Sequence, residues 1–234
     1  MLKVKSKNRV KLGLKLTTKI WIAGFAGVLA TSIFLLMMVN LGFNHQSIAA
    51  VGYHGDKTVS GSNVILNEYT TLSSNASSGA TSISVANAYL NANSRFAGNL
   101  SAGELILIIQ MQGATINESD ASSYGSVSSY GNAGKREFIE VSSVPNSTTI
   151  NLATALTKSY TSSGKVQIIR VPRYQFFTVQ SGASVTCPAW DGSTGGIVSI
   201  EANKTTTING TIDVSGKGFR GGVVEQKTAT PGNH

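Results

Sequence analysis

Cysteine is nearly missing from this 234-residue chain, and histidine is missing from most of it. Cys187 stands alone, so no internal disulfide can form and stability must come from packing and backbone pairing. It reads as a small buried hydrophobe rather than a reactive thiol. The three histidines are His45 and His54, beside an N-terminal leader, and His234, the last residue. With none expected in the folded interior, a Ser-His-Asp or Cys-His arrangement has no imidazole base. A histidine-ligated zinc or iron site is not expected for the same reason. Acids are also absent before Asp56.

That last absence locates the charge. Lys3, Lys5, Lys7, Arg9, Lys11, Lys15 and Lys19 are uncompensated, and beyond them 12 Lys and Arg face 11 Asp and Glu. Seven of the eight formal net positive charges therefore belong to the first 19 residues, and the basic character is no argument for nucleic acid. From Ile20 to Val39 no charge occurs, which matches the roughly 20 apolar residues that span a bilayer. Positive-inside bias sends the chain from residue 40 onward across the membrane. Ser47-Ile48-Ala49 offers small residues for cleavage after Ala49, as in a signal peptide. The long apolar core and the stretch from Asn40 to Ala49 fit a retained anchor instead. Both readings place the folded part outside the cytoplasm: cell surface, extracellular or membrane-anchored. A lipoprotein is excluded by the position of Cys187, and a pilin-type leader lacks its glutamate.

After residue 50, helical periodicity gives way to short β-branched runs separated by Gly, Asn and Ser, the pattern of an all-β fold. Ala86–Phe96 is the exception, with the composition of a short helical turn. Leu105-Ile106-Leu107-Ile108-Ile109 is apolar at every position, as in a strand covered on both faces. Glu137–Val141 and Thr149–Leu152 come closer to the alternation of half-buried strands, joined through a turn at Pro145-Asn146. With Lys165–Val171 these predict a small antiparallel β-sheet or barrel. The polar stretch Gly113–Lys135 reads as an exposed loop carrying Tyr124 and Tyr130 in a repeated Ser-Ser-Tyr-Gly phrase.

From Tyr174 the runs shorten and their corners become rich in small residues. Thr205–Val214 admits a hairpin through Asn209-Gly210 or successive rungs of a parallel β-helix. The glycines of 216–222 favour rungs, because stacked corners bring backbones close. The expected division is a basic leader with an apolar helix at 1–49, an antiparallel β domain at 50–172, a short right-handed parallel β-helix-like segment at 173–222, and an irregular tail at 223–234. A solenoid needs about three stacked repeats, and only two or three rungs fit. An uncapped edge there invites pairing, so either the tail caps it or the chain is a piece of a longer protein.

Chemistry-bearing residues are sparse. Asp191, Glu201, Asp213, Arg170 and Arg173 are candidates for a histidine-free polysaccharide-cleaving site, with structural ion pairing the blander role. Asp191-Gly192-Ser193-Thr194 and Glu118-Ser119-Asp120 match no calcium-loop pattern. Gly216–Gly222 lacks the ending of a phosphate loop. No motif points to a cofactor. Surface-contact candidates are aromatic: Trp190, Tyr124 and Tyr130, which can stack on sugars or anchor a partner, with Trp190 alternatively plugging the end of the rungs. Six N-x-S/T sequons carry no weight in a chain so rich in Asn, Ser and Thr.

The order Gly55-Asp56-Lys57-Thr58-Val59, Glu68–Leu72, Ser78–Ile83, Leu100–Gln110, Gly131–Val141, Val171-Pro172-Arg173-Tyr174, Pro188–Gly196 and Gly218–Gly222 resembles a known group. It is similar to the N-terminal region of very large, repeat-rich surface proteins of myxobacteria and other gliding or Gram-negative bacteria, some termed adventurous gliding-motility or adhesin-like proteins. The resemblance implies an exported, non-catalytic module at the base or tip of a long filamentous protein, and brings no catalytic residues. The expected function is thus a cell-surface structural or adhesive β-module, part of a larger surface or gliding-associated protein. The alternative is a polysaccharide-binding or polysaccharide-degrading β-helix protein. Expected partners are an extracellular polysaccharide or surface protein, and the membrane through the N-terminal helix, with no nucleic acid.

Overall fold

The computed structural model describes residues 52–219, and the leader, the cleavage position and the tail expected at 223–234 lie outside the described residues. Within them the chain is all-β. The short strands β1 (Lys57–Val59) and β2 (Val64–Ile65) open the fold. Then come β3 (Glu68–Thr71), β4 (Ser82–Ser84), β5 (Leu105–Gln110), β6 (Thr115–Ile116), β7 (Val127–Ser129), β8 (Arg136–Asn146), β9 (Thr149–Leu152) and β10 (Val166–Val171). The chain continues through β11 (Arg173–Tyr174), β12 (Phe177–Val179), β13 (Ser184–Thr186), β14 (Glu201–Ala202), β15 (Thr206–Ile208) and β16 (Thr211–Ile212). No helix among the described residues is long and apolar enough to cross a membrane. The helical turn expected at Ala86–Phe96 does not form. Asn87 and Asn91 instead turn their side chains onto the backbone of Tyr89 and Phe96, competing with helical pairing.

Six strands make one antiparallel sheet in the order β3-β10-β5-β8-β9-β4. Its two edges meet: Leu72 bridges Val85, flanked by Ser73 N–H to the Ser84 carbonyl at 2.8 Å and Ala86 N–H to the Thr71 carbonyl at 3.0 Å. The curled sheet thereby closes, which removes exposed edges. Its inner face holds Ile83, Val85, Ile106, Ile108, Ile139, Ile150 and Ile168. Each is buried, and each such side chain contributes roughly 1.5–3 kcal/mol. The outer face of β5 and β10 is covered as well. Leu105, Leu107, Ile169 and Val171 pack there with Tyr69 and Ile197, which explains why β5 is apolar at every position from Leu105 to Ile109.

The remaining strands stack in parallel. β12 lies between β1 and β15, β13 lies between β2 and β16, and β11 pairs with β14. Thr205–Val214 is therefore not a hairpin, since its two strands take different partners, Phe177–Val179 and Ser184–Val185. At the corner between them, a Cβ on Gly210 would lie 2.2 Å from the Ala183 carbonyl oxygen, so the rung spacing requires glycine. Strands β1 and β2 belong to this stack, so the pairing crosses the 172/173 boundary read from the sequence. The antiparallel body is spliced between the first rung and the second. The rung core contains Val59, Leu66, Phe177, Val179 and Val185, with Tyr174 stacked on Phe177 at 5.6 Å.

Candidate functional site

Two places concentrate polar side chains. The first is where the closed sheet meets the rungs. Glu68, Glu104 and Arg170 project from the inner-facing positions at one end of the sheet and are buried. A charge is expensive to bury unless paired, and here each is. Arg170 donates to Glu104 Oε1 through Nε at 3.0 Å and Nη2 at 2.6 Å. It also donates to the carbonyls of Leu90 and Gly98 and lies 3.9 Å from the centre of the Phe96 ring. Glu68 receives Asn93 N–H and Nδ2 and pairs with Arg95 at 3.5 Å. Arg173 reaches Glu140 on β8 at 2.6 Å and Glu201 on β14, tying sheet to third rung. Burial opposes ionisation of Glu104, but hydrogen bonds from His54 and Arg170 outweigh it and hold its pKa below the ordinary value.

His54 corrects the expectation that the folded interior has no histidine. Its side chain is only 15% exposed. His54 lies just before β1, inside the stretch from residue 50 already expected to fold, and its imidazole packs into the junction. Both ring nitrogens are engaged, by Glu104 Oε1 at 3.0 Å and the Arg173 N–H at 2.9 Å, so neither is left to take a substrate proton. Among the residues weighed for catalysis, Arg170, Arg173 and Glu201 are joined in this structural network. Asp191 accepts Ser193 and Thr194 N–H at 2.7 and 2.8 Å, closing its own turn. Asp213 accepts Ser215 N–H at 2.8 Å. Asp191, Glu201 and Asp213 are thus each engaged by their own local partners. No group of three His, Cys, Asp or Glu that could hold a metal occurs among the described residues.

The aromatic candidates divide. Trp190 is 8% exposed and packs at 5.4 Å against Phe219, so its ring is not offered to solvent. Tyr124 and Tyr130 are 71% and 72% exposed. They lie on the 113–135 excursion, which carries the small antiparallel hairpin β6–β7 where sequence alone suggests only a loop. Cys187 is buried and free, and desolvation pushes its thiol pKa up.

The second polar place lies at the stem of that excursion and escaped sequence reasoning. A cleft of about 440 Å³ is lined by Gln110, Gln112, Asn132, Thr161 and Ser163, with glycines between them. Gly131 is shared with an adjoining cleft of about 520 Å³, lined by Lys135, Arg136 and Lys158. Gln110 is buried and fixes the floor: its Oε1 accepts Thr161 N–H at 2.8 Å and its Nε2 donates to the Gln112 carbonyl at 2.7 Å. Asn132 bridges the walls, donating to Thr161 Oγ1 and accepting from Lys135 Nζ at 2.6 Å. The stem is narrow because Gly113 and Gly131 touch. A Cβ on Gly131, whose φ is +53°, would lie 2.5 Å from the Gly113 carbonyl oxygen. Only Ser-Ser-Tyr-Gly in the sequence hinted at this place, because the lining comes from three separate segments, at 110–113, 131–132 and 161–164.

No protein-family model matches the chain, and no curated protein matches its sequence. Three solved phage tailspikes align with it. The Gp54 tailspike of Acinetobacter baumannii bacteriophage AP22, in complex with A. baumannii capsular saccharide, is 18% identical with a TM-score of 0.30, over 68% of this chain and 23% of that one. The tailspike gp49 of Pseudomonas phage LKA1 is 16% identical with a TM-score of 0.27, over 59% and 27%. The tailspike gp61 of Pseudomonas phage phi297 is 13% identical with a TM-score of 0.31, over 70% and 24%. The chain spans about a quarter of the length of these proteins. Superposition at that level carries no inference about ligand or activity.

Proposed function

We propose that this chain is an exported, non-catalytic β-module that binds polysaccharide in the cleft beneath the 113–135 excursion. The observation that carries the reading is the lining of that cleft. Its volume falls in the range of small-ligand sites, which are usually apolar, yet its side chains are amides and hydroxyls. Gln, Asn, Ser and Thr both donate and accept, which is what a ligand made of hydroxyl groups requires. Gln112 and Ser163 are exposed there, and the exposed Tyr130 directly precedes Gly131, supplying a flat apolar face for a sugar ring. The basic leader and apolar segment support export. Binding is favoured over cleavage because the acids and arginines weighed for catalysis are occupied in ion pairs and turns. The resemblance to repeat-rich surface proteins accords with a cell-surface location within a larger assembly.

The test is retention of the full chain on immobilised bacterial polysaccharides, compared with Tyr130→Ala and Asn132→Ala, whose folding is checked by near-ultraviolet circular dichroism. Retention of the parent and loss of at least fivefold in affinity for both variants is the expected result. Parent and variants passing through every polysaccharide unretained would sink the reading.

A further inference from the structure

We infer that the ligand of this cleft is an acidic polysaccharide, whose anionic group sits against Lys135, Arg136 and Lys158. The inference rests on the binding reading above and adds the chemical class of ligand. Its ground is the unequal distribution of paired and unpaired charge. Arg95, Arg170 and Arg173 each lie within ion-pair distance of a buried or half-buried carboxylate, so their charge is spent inside the fold. Arg136 and Lys158 have no carboxylate partner among the described residues, and both line the adjoining cleft that meets the amide-lined one at Gly131, the two forming a basic half and an amide half. Lys135 is held beside them by Asn132 Oδ1, which places its charge at the seam between the amide half and the basic half.

The acids near this wall do not cancel it. Glu137, the next residue on β8, turns its carboxylate onto Thr157 and Lys158, accepting Thr157 N–H at 3.0 Å, Thr157 Oγ1–H at 2.8 Å and Lys158 N–H at 3.3 Å. Burial opposes its ionisation, and these hydrogen bonds overcome that and keep it charged. One carboxylate thus faces three cations. Glu118 and Asp120 lie on the exposed excursion itself and do not line the basic half. A neutral glycan would leave Arg136 and Lys158 to water. An acidic one places a carboxylate or sulfate against an Arg fork that matches it, with the sugar ring spanning to the amides of Gln112 and Asn132.

The experiment measures binding of the full chain to dextran, dextran sulfate, polygalacturonate and polyglutamate of similar length. It compares the parent with Arg136→Gln/Lys158→Gln and with Lys57→Gln/Lys204→Gln, which removes the same charge from the rungs. All three carry the same basic leader, so its contribution cancels in the comparison. The expected result is retention of one or both acidic polysaccharides above dextran and polyglutamate. Affinity should fall about five- to tenfold in the cleft variant only, and raised salt should erase the difference. Equal affinity for dextran and dextran sulfate, or an unchanged cleft variant, overturns the charge selection while leaving a neutral-glycan cleft standing. Polyglutamate bound as tightly as the acidic polysaccharides also overturns it, as indiscriminate polyanion binding. No retention on any polysaccharide overturns both this inference and the reading beneath it.

Discussion

The His54 imidazole and the Glu104 carboxylate, 50 residues apart in sequence, meet at 3.0 Å in the joint between rung and closed sheet. The other ring nitrogen accepts the Arg173 N–H, so Nδ1 carries the lone pair and Nε2 carries the proton that Glu104 receives. One side chain therefore satisfies a buried acid and a backbone donor from two different elements. The ring also makes edge contacts with Tyr53 and Phe96, both at 5.2 Å.

Replacing His54 separates those roles. His54→Phe keeps a ring in the aromatic contacts and removes both hydrogen bonds, so it should cost about 1–3 kcal/mol, the range for an unsatisfied buried polar group. His54→Ala should cost more. Urea unfolding followed by fluorescence measures both, and a His54→Phe midpoint equal to the parent's would mean the hydrogen bonds contribute nothing.

Acid should loosen the same joint and, at the cleft wall, the Glu137 contacts with Thr157 and Lys158. Glu104 and Glu137 have folded-state pKa values below the ordinary 4.5. A group whose pKa is lowered by folding stabilises the protein above its unfolded value, and that stabilisation is lost as pH falls through the folded value. Thermal midpoints should therefore hold steady from pH 7 to 5 and decline below about 4.5, with a shallower decline in Glu104→Gln/Glu137→Gln. A flat profile down to pH 3 would refute the assignment.

The all-β character and the double burial of Leu105–Ile109 are legible from residue type, because a strand packed on both faces must be apolar at each position. The rungs beyond Tyr174 show themselves through their small-residue corners and the glycines that follow Val214, although Asn209-Gly210 taken alone reads equally as a hairpin. Less local facts are hidden. Nothing in Lys57-Thr58-Val59 says that its partner is Phe177–Val179 rather than a nearby strand, since parallel pairing across a spliced-in body leaves no periodic trace. Phe138 is exposed on β8, so its apolar character misleads about which face is covered. The cleft is least visible of all, because Gln110, Asn132 and Thr161 are ordinary polar residues until the sheet closes around them.

Two amides fasten the third rung's approach to the sheet in a way that mimics strand pairing. Gln167 accepts Gly195 N–H at 3.0 Å and donates to its carbonyl at 3.2 Å. Asn67 accepts Ser199 N–H at 3.1 Å and donates to its carbonyl at 2.7 Å. Gln167→Leu fits the space but strands a donor and an acceptor, at a cost of about 1–3 kcal/mol. Hydrogen exchange should accelerate at Gly195 while the amides of β5 keep their protection. Unchanged exchange at Gly195 would show that the amide clasp is dispensable.

Two glycines in the stem distinguish backbone strain from loss of the cleft. Gly131 and Gly134 both hold positive φ, +53° and +78°, so alanine at either costs about 1 kcal/mol through conformation alone. Only at Gly131 would the added Cβ strike a neighbour, the Gly113 carbonyl oxygen, whereas nothing lies within 4 Å at Gly134. Gly134→Ala should lower the thermal midpoint by a few degrees and bind polysaccharide like the parent. Gly131→Ala should push the two stem segments at Gly113 and Gly131 apart, displace Asn132 and Gln112, and reduce binding at least tenfold beyond its effect on stability. If the two variants bind alike, the amide half of the cleft is not where the sugar sits.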